Sequence, residues 1–178
     1  MCLLIDNSGS MSDSRAEVRA AGLALVKELT PRDEVCIVDF SDEVYLDLSF
    51  TSDPKATAEA LTHYESRGGK AMRDAVGMSL DYIRQKAQNG RKVLVLITEG
   101  YDTSSSVTQD RLLDVVKSSG VPIYVIGLLS QKYPTRANEI KPALDQLAEA
   151  SQGSVYFPRD LAEIESVSTE IANKIRRQ

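Results

Sequence analysis

The feature that most constrains this chain is the regular alternation of apolar strand patterns with amphipathic helix patterns along its whole length. Four apolar runs are rich in β-branched residues and read "CLLID", "EVCIVDF", "KVLVLIT" and "VPIYVIGLL". Between and after them, apolar side chains recur at helical spacing, as in residues 18–29. A chain that alternates in this way is expected to form a three-layer α/β/α sandwich with a doubly wound, mostly parallel sheet.

One segment interrupts the parallel pattern. "EVYLDLSF" alternates Val44, Leu46 and Leu48 with polar or aromatic residues, and only "SD" separates it from "EVCIVDF". Such a short connection is typical of an antiparallel hairpin, and such alternation is typical of a strand with one exposed face. The sequence therefore predicts one antiparallel edge strand, within a single domain that covers residues 1–178.

Composition narrows the classes of function. With 21 basic and 26 acidic residues the net charge is −5, and no stretch is dense in Lys and Arg, which argues against nucleic-acid binding. No apolar run approaches the roughly 20 residues that span a bilayer. The abrupt start at "CLLID" favours a chain trimmed upstream, where a targeting segment could have been lost. A location on either side of a membrane is therefore left open. Cys2 and Cys36 lie inside apolar runs, which favours buried thiols over a disulfide.

The polar stretch "DNSGSMSDS" directly follows the first predicted strand. In doubly wound sheets, ligands bind outside the carboxyl ends of the strands, where the strand order reverses. Asp6, Ser8 and Ser10 alternate, so their oxygens can point to one centre, and such hard ligands suit Mg²⁺ or Mn²⁺. The alternative is a turn and a helix cap, because Ser and Asp also serve those roles.

Two more segments belong to the same edge of the predicted sheet. "ESRGGKAMRDAV" opens a long helix after a Gly-Gly turn, and "LITEGYDTSSS" places Glu99 directly after the central strand. Together with "DNSGS", these segments resemble the metal-ion-dependent adhesion site of the von Willebrand factor A domain. "VPIYVIGL" and "LAEASQGSVYF" also resemble that family's last strands and intervening helix, in the expected order. The resemblance covers essentially the whole chain and is strongest to bacterial members with a "YFPRDLAEIE"-like ending.

The resemblance implies a Rossmann-like sandwich that binds another protein through a metal ion at the rim of the sheet. Asp6, Ser8 and Ser10 match the family's first ligands, which a Thr and an Asp from the other two loops join. An acidic or polar side chain of the partner then completes the contact. This chain departs from the pattern twice, because Lys70 stands in place of the Thr and Glu99 in place of the Asp. Lys70, Tyr101 and Asp102 become the candidate partner contacts.

The change to Lys70 decides what the site can hold. An ammonium about 4 Å from a divalent ion would be repelled by about 8 kcal/mol at an effective dielectric near 20. A millimolar site is worth only about 4 kcal/mol. In the favoured alternative, Lys70 turns inward, pairs with Asp6 and Glu99, and no metal is bound. In the other, its stem carries the charge to water and leaves a weak Mg²⁺ or Mn²⁺ site.

The sequence favours a binding module over an enzyme. "GGKAM" lacks the spacing of a phosphate loop, and "NSGSM" is no nucleophile elbow. The single histidine, His63, is read as exposed or capping. Two alternatives stay open: a phosphoester hydrolase with Asp6 as the nucleophile, and a structural module without a ligand. A long connection is predicted at "LSQKYPTRANEIKP", either as a partner contact or as a solvated insertion.

Overall fold

A computed structural model describes residues 1–62, 66–88, 90–129 and 134–177. Six strands form one sheet in the order β3-β2-β1-β4-β5-β6, and β3 alone among them is antiparallel to its neighbour. The predicted doubly wound sheet with one antiparallel edge strand is thereby confirmed. The strands are β1 (Cys2–Asp6), β2 (Val35–Phe40), β3 (Val44–Thr51), β4 (Leu94–Thr98), β5 (Ile123–Gly127) and β6 (Ser154–Tyr156).

Helices cover both faces of this sheet. A short 3₁₀ turn (Gly9–Ser14) precedes α1 (Arg15–Lys27), followed by α2 (Pro54–Ala60), α3 (Met72–Lys86), α4 (Gln109–Ser119), α5 (Pro134–Ala150) and α6 (Leu161–Arg177). The apolar sides of α3, α4 and α5 pack on one face of the sheet, and those of α1 and α6 on the other. Among the described residues, no helix has the length and apolarity to cross a membrane.

The apolar strand runs are buried because helices lie over both sides of them. In β4, Leu94 and Leu96 enter one core while Val95 and Ile97 enter the other, and all four are fully buried. A strand covered on both faces needs no polar alternation, which explains the continuous apolar run in the sequence. Cys2 and Cys36 are buried free thiols in adjacent strands, as predicted.

The strand order reverses at β1, which pairs with β2 on one side and with β4 on the other. The chain leaves β1 toward β2, and it later leaves β4 toward β5 at the opposite side of the sheet. The connections that leave β1 and β4 therefore diverge and open a crevice between their carboxyl ends. Asp6 ends β1 and Thr98 ends β4, so both residues lie at this crevice.

The predicted regular alternation along β3 is wrong in detail. Leu46 was expected to point inward but is 47% exposed, while Val44, Leu48 and Phe50 are partly buried. The pairing with β2 shifts register between Ile37 and Val38, so an extra residue of β3 interrupts the period of two. The hairpin connection also has three residues, 41–43, in place of the predicted two.

The predicted long connection after β5 is also wrong, because α5 already begins at Pro134. Proline suits the first turn of a helix, where its missing N–H has no partner to lose. Residues 130–133 of that segment lie outside the described residues, and so does His63. Helix α3 ends at Lys86, one residue earlier than its apolar pattern suggests, because Ala87 is extended.

Candidate functional site

Three loops meet at the carboxyl edge of the sheet, and we call them the rim loops: residues 7–14, 66–71 and 99–108. Backbone hydrogen bonds join the first two. Arg67 N donates to Asn7 O at 3.0 Å, and Gly9 N donates to Gly68 O at 3.3 Å. Gly68 has a φ of +69°, and a Cβ there would lie 2.2 Å from Asp42 Oδ1. Glycine is therefore required for this turn.

The second and third rim loops are joined at the backbone of Lys70. Its N–H donates to Thr103 Oγ1 at 3.0 Å and lies 3.3 Å from Ser104 Oγ. In return, the amides of Thr103 and Ser104 donate to Lys70 O at 2.8 and 3.1 Å. These four contacts fix the backbone of Lys70, whose side chain is buried.

Asp102 strengthens the same junction. Its carboxylate accepts from Arg73 N at 2.7 Å and from the Arg73 guanidinium at 3.1 Å, and it also accepts from Ser105. A carboxylate here caps the first turn of α3, where the helix dipole favours a negative charge. The Asp102 side chain is only 7% exposed, and Tyr101 packs partly buried against the core. Their proposed contact with a partner stays a prediction.

The first rim loop brings its three predicted oxygen side chains together. Asp6 Oδ1 accepts from Ser8 N at 3.1 Å and from Ser8 Oγ at 2.6 Å, and Ser8 Oγ lies 3.3 Å from Ser10 Oγ. Asp6 Oδ2 accepts from Thr98 Oγ1 at 2.6 Å, and Thr98 Oγ1 accepts from Gly100 N at 2.9 Å. Sequence reasoning missed Thr98, which ends an apolar strand, although a hydroxyl at a strand end beside the crevice was a usable signal.

The Lys70 ammonium lies between the two carboxylates of the rim. Nζ is 2.9 Å from Asp6 Oδ2 and 3.5 Å from Glu99 Oε2, and the side chains of Lys70, Asp6 and Glu99 are 4%, 0% and 14% exposed. These contacts are ion pairs without a well-aligned hydrogen bond to the ammonium among the described residues. At an effective dielectric near 20, each attraction is worth about 5 kcal/mol. Desolvation of the ions offsets much of that gain. The Lys70 side chain thus turns inward and pairs with Asp6 and Glu99, and whether the site binds a metal stays a prediction.

The residues as they stand do not fit a divalent metal ion. Both oxygens of Asp6 are already engaged, Oδ2 by the ammonium and the Thr98 hydroxyl and Oδ1 by Ser8. Lys70 has no lone pair to donate when it is protonated. Within the described part of the chain, no three His, Cys, Asp or Glu side chains are grouped so as to hold a metal. A metal would therefore require Lys70 to leave its position.

A second buried carboxyl lies behind the first rim loop. Asp39 on β2 is 4% exposed, and its Oδ2 accepts from Asn7 Nδ2 at 3.4 Å. Burial, followed by the facing carboxyl of Asp47, raises the pKa of Asp39 to about 9. Asp39 therefore holds a proton at neutral pH. Sequence reasoning missed this pair, although a charged residue inside an apolar strand was the signal.

The fold and the rim geometry now have a counterpart among known protein families. The family model of the von Willebrand factor type A domain matches residues 1–170. This chain belongs to the von Willebrand factor type A family. The match covers the whole sheet and all three rim loops, so the predicted resemblance is confirmed. No curated protein sequence matches the chain.

Solved structures share the fold of this von Willebrand factor A domain at low sequence identity. A von Willebrand factor type A structure from Catenulispora acidiphila has a TM-score of 0.77 and 23% identity, over 98% of this chain and 42% of that one. The vWF domain of the type V pili tip protein Mfa5 from Porphyromonas gingivalis has a TM-score of 0.77 and 12% identity, over 99% of this chain and 94% of that one. The pilus adhesin SpaC from Lactobacillus rhamnosus GG, in its open conformation, has a TM-score of 0.76 and 14% identity, over 98% of this chain and 29% of that one. The chain thus spans less than half of the first and the third.

Proposed function

We propose that this von Willebrand factor A domain is a protein-binding module that performs no chemistry and binds its partner at the rim loops. In this proposal, the Lys70 ammonium replaces the metal ion, so binding needs neither Mg²⁺ nor Mn²⁺. The observation that carries the proposal is the buried ammonium, 2.9 Å from Asp6 and 3.5 Å from Glu99. It offsets the repulsion between the two carboxylates.

The rim presents polar groups that a protein can contact. Ser10, Thr103 and Ser104 are exposed on the first and third rim loops, and Glu99, at the start of the third, is partly exposed. We call these four residues the rim surface. The hydrogen bonds between the loops hold this surface in place, which lowers the entropy that binding must overcome. Mfa5 is a pili tip protein and SpaC a pilus adhesin, and their likeness in fold favours a role in adhesion or protein contact here.

Hydrolysis with Asp6 as the nucleophile is the weaker alternative. The Asp6 side chain is fully buried and contacts the backbone and hydroxyl of Ser8, the Thr98 hydroxyl and the Lys70 ammonium. A nucleophile must reach its substrate within about 3–3.5 Å, which a side chain enclosed on every side does not do. Asp6 is better suited to organise the rim than to attack a phosphoester.

The proposed function is tested by capture of partners from cells that make this chain, with a bulky residue placed on the rim surface. Ser10→Arg adds a long side chain at an exposed position, so the fold should tolerate it. Ser118→Arg is the matched control, because Ser118 is also exposed but lies near the far end of α4. We expect partners captured by the wild type and by Ser118→Arg to decrease at least about tenfold with Ser10→Arg, a loss of about 1.4 kcal/mol. Equal capture by all three proteins, measured by quantitative mass spectrometry, would contradict binding at the rim surface and favour a structural module with no ligand at this site.

A further inference from the structure

The charge of the rim points to the kind of group that a partner brings. A divalent ion between two carboxylates leaves no net charge, and it keeps a coordination position that a partner's carboxylate can fill. Here the two carboxylates of Asp6 and Glu99 face a single ammonium, which leaves one net negative charge. We propose that the rim surface binds a basic side chain, Lys or Arg, of its protein partner. This inference rests on the proposed function and specifies the partner group.

An acidic partner group has no favourable position at this rim. Among the described residues, the cation between the two carboxylates is the Lys70 ammonium. Its side chain is 4% exposed, so a partner's carboxylate cannot contact it without displacing the loops. Such a carboxylate would instead meet Glu99, the more exposed of the two acids, and be repelled. A carboxylate also gains no coordination bond from an ammonium that already contacts two anions.

Glu99 is the acid that a basic group would contact. Its side chain is 14% exposed, whereas that of Asp6 is 0% exposed. Among the described residues, Glu99 forms one ion pair, the 3.5 Å contact of its Oε2 with Lys70. Its other carboxylate oxygen can therefore accept from a partner. The exposed hydroxyls of Ser10, Thr103 and Ser104 add further acceptors on the rim loops. A guanidinium or an ammonium supplies charged donors, from which the Glu99 carboxylate and these hydroxyls can both accept.

The cations in and beside the rim loops do not cancel this charge. Arg73, in the first turn of α3, pairs with Asp102, so that pair is neutral. Arg15, at the start of α1, donates to Ser66 Oγ at 3.3 Å. Arg67 lies next to the hydroxyl of Tyr45 on the edge strand, on the side of β2 and β3. None of these three cations is paired with Glu99 among the described residues. The net negative charge therefore remains at Glu99, whose side chain is partly accessible to a partner.

The experiment selects phage-displayed random heptapeptides on the immobilised domain, without metal. The bound peptides are sequenced, and their affinity is then measured for the wild type, for Glu99→Gln and for Glu149→Gln. Glu149 is an exposed carboxylate at the end of α5, at the opposite edge of the sheet, so it controls for general charge. Selection on Ser10→Arg shows which peptides bind at the rim surface, because only those lose binding.

We expect the rim-dependent peptides to be enriched in Lys or Arg and to lose about tenfold in affinity on Glu99→Gln but not on Glu149→Gln. Rim-dependent peptides enriched in Asp or Glu would overturn this inference and leave the proposed function standing. Rim-dependent peptides of either kind that bind Glu99→Gln as tightly as the wild type would also overturn it. A selection that yields no rim-dependent peptide would count against both the inference and the proposed function.

Discussion

Lys70→Met is expected to lower the free energy of unfolding by about 3–5 kcal/mol, the usual penalty for removing one partner of a buried ion pair. Methionine keeps much of the length of the side chain but removes the charge. Asp6 and Glu99 then face each other without a cation, and the fully buried Asp6 is left with hydrogen bonds from Ser8 and Thr98 alone. Urea unfolding at neutral pH, without divalent metal, measures the effect.

A matched control separates charge from a general effect of the substitution. Lys117→Met makes the same change at an exposed position in the last turn of α4, and it should alter stability by less than about 0.5 kcal/mol. If Lys70→Met proved as stable as Lys117→Met, the ammonium would not compensate the two carboxylates, and the electrostatic description of the rim would be wrong.

The second large effect is a dependence of stability on pH that Asp39 causes. Its pKa in the folded protein is raised to about 9, mainly by burial, from an ordinary value of 3.8. Between these values the folded chain holds a proton that the unfolded chain has released, so stability must fall as pH rises. The stabilisation is complete below about pH 4 and is lost as the pH approaches about 9. The expected slope is at most about 1.4 kcal/mol per pH unit.

Asp39→Asn is the test, since an amide has nearly the same shape and does not titrate. Between about pH 5 and pH 8, the variant should gain stability relative to the wild type, by at most about 4 kcal/mol. Asp81→Asn changes an exposed acid on α3 in the same way and should show no such trend. Chemical unfolding at several pH values gives the three curves. A constant difference between Asp39→Asn and the wild type would show that Asp39 does not hold its proton.

Most of the fold could be predicted from the sequence because each element has a clear period. The β4 strand lies between two layers of helices and is apolar throughout, and the face of α3 that includes Met72 and Leu80 repeats at helical spacing. The prediction was wrong where the spacing of apolar residues does not match the burial of their side chains. Leu46 lies next to a bulge, which depends on how β3 pairs with β2 and leaves no mark in a pattern of apolar residues.

The site could be predicted in its parts but not in its arrangement. Asp6, Ser8 and Ser10 are close in sequence, so their common direction follows from local geometry. The direction of Lys70 depends on Thr103 and Ser104, which lie more than thirty residues away and bind its backbone. Asp39 and Asp47 meet across two strands, and only the pairing of those strands brings them together. Contacts between distant segments are what a single sequence does not specify.

The most direct test of the replaced metal is calorimetric titration with Mn²⁺ of the wild type and of Lys70→Thr. The ammonium 2.9 Å from Asp6 should prevent binding, so the wild type should give no binding heat at millimolar Mn²⁺. In Lys70→Thr a neutral oxygen replaces the cation, and Asp6, Ser8, Ser10 and Glu99 become free to act as ligands. We therefore expect the variant to bind Mn²⁺ with a Kd of about 1 mM or lower, worth about 4 kcal/mol. Millimolar or tighter binding by the wild type would contradict the central claim.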